Sequence, residues 1–344
     1  MPATRTTLWL LKIMIPISLA VRLLQYYGVI EWVAQYLNPL FQYMGLPGAS
    51  AIAFLTGASV TTYACLAVML SMHLTLRQAT IIAIMVLICH ALPMECAVVK
   101  KVGSKPFKMA VLRIVGAFLA ALYLNLALPE MPQPFTTMPV ADSIVSVWEV
   151  VEQWLWASLK LCAMIYGLIY GLMVLQRILD KLGIMRMLTQ PLRPLMLFFG
   201  LPENASYLWL VGNVLGISYG SAMMLDLEER GEITREEANE VNYHLIMNHS
   251  MLEDTLVFAA AGVSAAWILS TRILFAFLLV WFRKLYKRMS FLHNPPRIIV
   301  KTLKLVHVGH RTAHIYKKNC DADFCISVFL TLYISIMFLV FKKD

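Results

Sequence analysis

The stretch whose reading decides the fold runs from Asn239 to Gly262, NEVNYHLIMNHSMLEDTLVFAAAG. It stands between apolar runs yet carries Asn239, Glu240, Asn242, His244, Asn248, His249, Glu253 and Asp254. A charge at bilayer depth costs about 2.5–3.5 kcal/mol on insertion scales, so such residues face a protein interior or a water-filled cavity. The chain holds an earlier, plainer twin, Thr80 to Gly103, TIIAIMVLICHALPMECAVVKKVG. Any ligand is expected to meet this pair.

Composition sets the class. The 344 residues are 60% hydrophobic and only 14% charged, where soluble domains are about a quarter charged. Several apolar runs reach the roughly 20 residues that cross a hydrocarbon core. This is the composition of an all-α, multi-pass integral membrane protein with the lipid bilayer as its first partner. Cys65, Cys89, Cys96, Cys162, Cys320 and Cys325 show no close CxxC pairing, and five of them lie in apolar segments, as packing residues do. The net charge of +9 gathers at segment ends and in the C-terminal tail. That is an orientation signal, not a nucleic-acid footprint. The first apolar run continues without a small-residue cleavage site, unlike a signal peptide.

In order, residues 8–28 read as a first span, interrupted by Lys12, Pro16 and Arg22. Residues 30–44 carry Ile30, Val33, Leu37, Leu40 and Met44 at helical spacing, the pattern of an amphipathic interfacial helix. Residues 48–72 are apolar but broken by Thr56 to Tyr63, TGASVTTY, which suggests two half-helices around an unwound centre. Spans at 79–99 and 109–128 flank a basic loop, and 129–143 is a Pro-rich linker.

After the linker the same order recurs: a long apolar helix at 145–175, an amphipathic one at 179–199, and a segment at 203–227 broken by VGNVLGISYG. The polar helix 239–261 and a span at 264–282 complete it. Gly45, Leu46, Pro47 and Gly57 fall on Gly200, Leu201, Pro202 and Gly212 at an offset of 155. At an offset of 159, His90 falls on His249, Glu95 on Asp254, Gly103 on Gly262 and Arg113 on Arg272. A repeat of this kind governs the whole fold assignment. It divides the chain into a first repeat at 1–128, the linker at 129–143, a second repeat at 144–286, and a basic tail at 287–344 with a possible further span at 324–341.

Positive charge orients the copies. If residues 48–72 dip in and return, each repeat crosses about three times and the second copy is inverted. Arg5, the loop at 100–108, Arg177, Lys181, Arg186, Arg193 and Arg283 to Arg288 then all lie inside, as the positive-inside rule requires. Inverted repeats with broken helices meeting near the midplane are a transporter architecture.

Candidate chemistry lies in three places. The broken segments offer Thr61, Thr62 and Tyr63 in one repeat and Asn213, Ser218 and Tyr219 in the other, where half-helix ends present free backbone groups. Close packing through small residues is the alternative there. In the polar helix, Asn242, His249 and Glu253 are seven and four apart, one face of a regular helix, with His244 and Asn248 beside them. That set suits binding of a polar solute or proton coupling, or else an internal polar network. His90, Glu95, His249 and Asp254 carry metal-ligating groups, but each His–carboxylate pair is five apart and does not stack on a regular helix. No metal or cofactor is therefore assigned. Arg113 and Arg272, matched between the repeats, are expected either to snorkel or to be buried partners of Glu95 and Asp254, with binding of an anionic ligand or lipid headgroup as the alternative. No nucleophile elbow, phosphate loop or catalytic carboxylate pair is present, and no enzyme is expected.

The small-residue break GISYGSAMM, the ERGEITREEA loop after it and the polar helix from Asn239, with MHLTLRQA at 72–79 as a shorter counterpart, resemble the Gate, or nucleoside-recognition, domain family. That family includes the spore maturation proteins A and B, and the domain recurs in nucleoside transporters and in the membrane part of ferrous iron transporter B. The resemblance covers roughly residues 8–285, as two Gate-like units; the spore proteins' Asn-Ala-Thr-Pro-type signature is absent. It implies a permease-like protein of the cell (inner) membrane that recognises or moves a small polar solute, nucleoside-like in one version. A non-transporting envelope factor and a divalent metal transporter are the other readings, and self-association into a homo-oligomer is left open.

Overall fold

Thr75 and Thr234 each start an inner helix with a capping box. The Thr75 hydroxyl accepts from the Gln78 amide and the Gln78 side chain accepts from Thr75; Thr234 and Glu237 do the same 159 residues later. The computed structural model describes residues 15, 16, 19, 20, 23, 24, 26–135 and 146–293. The expected further span at 324–341, most of the basic tail, residues 136–145 of the linker and most of the first span lie outside the described residues.

The chain is helical, in the order α1 (Val29–Gln42), α2 (Ser50–Ser59), α3 (Thr62–Leu70), α4 (Leu76–Cys89), α5 (Leu92–Lys101), α6 (Pro106–Ala127), α7 (Val147–Lys181), α8 (Ile184–Phe198), α9 (Ser206–Val214), α10 (Ile217–Glu229), α11 (Arg235–Asn248), α12 (Met251–Ala260) and α13 (Ala265–His293). No strand forms among the described residues; the linker's first part is pinned by one bridge, Pro134 to Thr75. Among the described residues, three helical stretches are long and apolar enough to cross a membrane: Leu76–Lys101, Pro106–Ala127 and Ala265–Met289. The chain is an all-α membrane protein.

The amphipathic helices α1 and α8 end alike. Gly45 at φ 70° and Gly200 at φ 73° take the left-handed turn that glycine tolerates best. Leu46 then donates back to Phe41 O and Leu201 to Met196 O. The apolar segments that follow are broken as the sequence suggests, at Val60-Thr61 and at Leu215-Gly216. Neither α2 nor α3, of 10 and 9 residues, spans a bilayer alone, and the two pack on each other, as α9 and α10 do.

One expectation fails here. Residues 79–99 and 239–261 do not form continuous helices. The first breaks at His90-Ala91, with Ala91 at φ 45°, and the second at His249-Ser250, with Ser250 at φ 52°. Left-handed backbone at a non-glycine residue is strained and needs support from its surroundings. The neighbouring broken segments give it: Ala91 N donates to Gly57 O and Ser250 N to Gly212 O, both at 3.0 Å.

Relative directions follow from the contacts. Arg77 of α4 meets the Asn125 carbonyl near the end of α6, while Ile88 meets Arg113 nearer its start, so α4 and α6 run oppositely. Ser104 meets Asn239 and Asn242, Lys108 lies over Tyr243, and Gly116 lies against Met247, so α6 and α11 run the same way. Hence α4 and α11 are antiparallel. Both are inner helices, buried from Ala79 to Cys89 and from Val241 to Asn248. Trp32 and Tyr36 of α1, Trp148 and Trp156 of α7, and Met187 and Leu197 of α8 are exposed and suited to lipid.

The two segments couple through glycines without room for a side chain. A Cβ on Gly57 would stand 2.5 Å from Val86 Cγ1, and one on Gly212 2.6 Å from Leu245 Cδ1. The valine is stiff at χ1 whereas the leucine end can swing away. Gly57→Ala is expected to lower stability by about 1–3 kcal/mol, and Gly212→Ala by less. Thermal unfolding in detergent measures both, and equal losses would contradict this packing.

Candidate functional site

A helix that stops inside a protein leaves carbonyls without partners at its C-terminus and amides at the next N-terminus. At each break one arginine answers part of this need. Arg113, from α6, donates through Nε to Ile88 O at 2.7 Å and pairs through Nη1 with Glu95 Oε2. Arg272, from α13, donates through Nε to Met247 O at 3.2 Å and through Nη2 to His249 O at 2.5 Å, and its Nη1 stands 3.1 Å from Asp254 Oδ2. Each carboxylate lies in the first turn of the half-helix that follows, where the helix dipole favours negative charge. Both arginines are completely enclosed, at 1% and 0% exposure.

The breaks bring His90 and His249 face to face. Their Nε2 atoms are 3.1 Å apart, and Glu95 Oε1 lies 3.0 Å from the first and 3.1 Å from the second. The Nδ1 of His90 lies 3.3 Å from Val86 O and that of His249 2.8 Å from Leu245 O. These are carbonyls one turn back on α4 and α11. The expectation that residues five apart do not meet assumed a regular helix; the extended His90 and left-handed Ala91 fold His90 and Glu95 together. Asp254, one methylene shorter than Glu95, pairs with Arg272 and forms no ion pair with either histidine among the described residues.

The single face expected for Asn242, His249 and Glu253 does not exist, because the helix ends at Asn248 and Glu253 belongs to α12. The three go to different places. Asn242 Nδ2 donates to Ser104 Oγ at 3.0 Å, which donates to Asn239 Oδ1 at 2.8 Å. His249 joins His90 and Glu95. Glu253 Oε1 accepts from Tyr63 OH at 2.7 Å, across 190 positions of sequence.

The remaining candidates form a second group. Trp209 Nε1 donates to His244 Nδ1 at 3.1 Å, and Asn213 Nδ2 donates to Trp209 O at 2.9 Å. Asn248 Nδ2 reaches Met251 Sδ at 3.5 Å. His244 and Asn248 interact through their side chains, while Asn213 Oδ1, and in the first group Asn242 Oδ1, are buried and without partners. An unmade buried hydrogen bond costs about 1–3 kcal/mol, so these atoms await a ligand or ordered water. Thr61 is spent on capping α3 through the Ala64 amide, and Thr62 is buried on the same helix. Ser218 and Tyr219 lie in α10, their side chains outside the described ones. Sequence reasoning passed over Trp209 and Ser104. Trp209, one turn before Asn213, carried a signal; Ser104 carried none.

A buried carboxylate stripped of its guanidinium is an uncompensated charge, a loss of about 3–5 kcal/mol. Arg272→Met is expected to destabilise by that amount, and Arg272→Met with Asp254→Leu to recover a substantial part. Detergent-phase thermal unfolding of both variants measures this; no recovery in the double variant would contradict the pairing.

Known proteins bear on this site. Residues 7–105 match the Gate family, described as nucleoside recognition. The chain is 28% identical over 283 residues to the uncharacterized membrane protein YvoD of Bacillus subtilis (strain 168), an alignment covering 80% of this chain and 89% of that protein. No solved structure matches. The matched residues include α2 to α5, hence Tyr63, His90 and Glu95. The chain is a membrane protein whose residues 7–105 match the Gate family model.

Proposed function

We propose that this chain is a permease-like protein of the cell (inner) membrane, built from two inverted Gate-like repeats at 1–128 and 144–286, that recognises and moves a small polar solute. The observation that carries the proposal is the contact between His90 and His249. Residues at equivalent positions touch one another only on a symmetry axis, and the opposed directions of α4 and α11 put that axis across the helices, in the membrane plane. Paired helix breaks at such an axis are where inverted-repeat transporters bind substrate.

The solute meets the residues that the repeats do not share. Asn213, His244 and Asn248 occupy positions that are Ala58, Met85 and Cys89 in the first repeat. Trp209 donates to His244 Nδ1, so a neutral His244 carries its hydrogen on Nε2. The group therefore offers a ligand the free Asn213 amide oxygen beside a His244–Asn248 pair that can exchange its mutual contact for one to solute. Alternating donors and acceptors of this kind match a nucleobase edge or a sugar hydroxyl, in keeping with the family's description. The Tyr63–Glu253 bond joins the broken segment of one repeat to the broken helix of the other, and has to open if the repeats rock apart.

Uptake of radiolabelled uridine and adenosine into proteoliposomes tests this. A hydrogen bond to solute is worth about 1–1.5 kcal/mol, so Asn213→Ala and Asn248→Ala are each expected to reduce uptake about tenfold. Absence of uptake, together with no thermal stabilisation by a panel of nucleosides and other polar solutes, would favour a non-transporting membrane factor.

A further inference from the structure

We propose that His90 Nε2, His249 Nε2 and Glu95 Oε1 form the ligand set of one divalent transition-metal ion of the Zn2+ class, held where the two halves of the chain meet. The inference is independent of any transported solute and rests on atoms alone.

The contacts of the two outer nitrogens favour one tautomer for each ring. Val86 O and Leu245 O only accept, so each Nδ1 carries hydrogen and each neutral ring turns a bare Nε2 lone pair inward. Three electron-pair donors then face one another at 3.0, 3.1 and 3.1 Å. One added proton, even if shared, leaves at least one of these contacts as two facing lone pairs. Protonating both rings sets two N–H groups against each other. A metal ion answers all three contacts at once.

The triangle has the size of a coordination face. Atoms so spaced lie about 1.8 Å from their common centre, so an ion at ligand distances of about 2.0–2.2 Å sits roughly 1 Å out of their plane, with a position left open. Imidazole and carboxylate suit Zn2+ and its neighbours. The outer contacts are those that metal sites use: each ligating ring donates its Nδ1 hydrogen to a backbone carbonyl, and Arg113 holds the second oxygen of Glu95. All three ligands are buried, at 7, 4 and 1% exposure for His90, Glu95 and His249. Three carboxyl groups lie near the site: Glu95 pairs with Arg113, Asp254 with Arg272, and Glu253 accepts from Tyr63 with no ion pair among the described residues. Because His249 comes from the α11–α12 break and the other two from the α4–α5 break, the ion would tie both halves together.

The test uses full-length protein purified in detergent through a tag without histidine. Metal analysis is expected to find about one equivalent of a divalent transition ion. Removing it by chelation should lower the unfolding temperature, and ZnCl2 should restore it. Co2+ in its place should give visible d–d bands without the thiolate charge transfer that cysteine ligation would add. The His90→Gln and His249→Gln variants should lose the equivalent and the ZnCl2 response, while His307→Ala with His310→Ala and His314→Ala should keep both. If either glutamine variant fails to fold, Glu95→Gln supplies the same readout. No bound metal and no ZnCl2 shift in the native protein, or metal retained by the glutamine variants, would overturn the proposal. Uptake is read separately, so loss of metal with uptake intact, or the converse, distinguishes this site from the solute site.

Discussion

A guanidinium group that serves two half-helices at once is the constraint on which the rest of this structure depends. Arg113 and Arg272 each take a carbonyl at the end of one inner half-helix and the carboxylate at the start of the next. Without them the breaks would leave buried carbonyls and a buried negative charge, several kcal/mol each in an apolar surround. With them, the broken helix is a stable element. Its other support is the bond from Ala91 or Ser250 to the glycine carbonyl of the broken segment beside it. Each half of the molecule is thus a short hairpin and a broken helix locked by one arginine and one glycine carbonyl.

That locking has a chemical consequence. The break turns its last residue, a histidine in both halves, away from the helix and toward its counterpart. Polar side chains that a continuous helix would spread along one face are instead sorted into separate neighbourhoods. Asn242 serves the contact with Ser104, His249 the meeting of the two breaks, and His244 with Asn248 the polar group beside Trp209. The two halves then differ by a single methylene where it counts: Glu95 reaches both histidines and Asp254 stops at its arginine. A scaffold of matched residues carries unmatched chemistry.

Much of this was legible in the residues. Offsets of 155 and 159 aligned the glycine-terminated amphipathic helices, the broken segments and the arginine–carboxylate pairs before any contact was known, and the contacts repeat at those offsets. The helix breaks at 90–91 and 249–250 were not legible. Ala91 and Ser250 are not residues that announce a left-handed turn, and Pro93 marks only the first break. Both turns are imposed from outside, by Gly57 O and Gly212 O and by arginines more than twenty positions away in sequence. Periodicity within a segment cannot report such tertiary bonds. It therefore put Asn242, His249 and Glu253 on one face and kept His90 apart from Glu95.

In the proposed architecture two like halves face each other in opposite senses across His90 and His249. Single cysteines at positions 73, 101 and 231, in a protein whose own cysteines are replaced, test it through a membrane-impermeant maleimide applied before and after permeabilising cells. All three positions are solvent-exposed, at the start of α4, the end of α5 and the approach to α11. Position 73 should react from outside, and 101 and 231 only once the inner face is reached. Reaction of 73 and 231 from the same side would mean that the halves are parallel, and the account would fail.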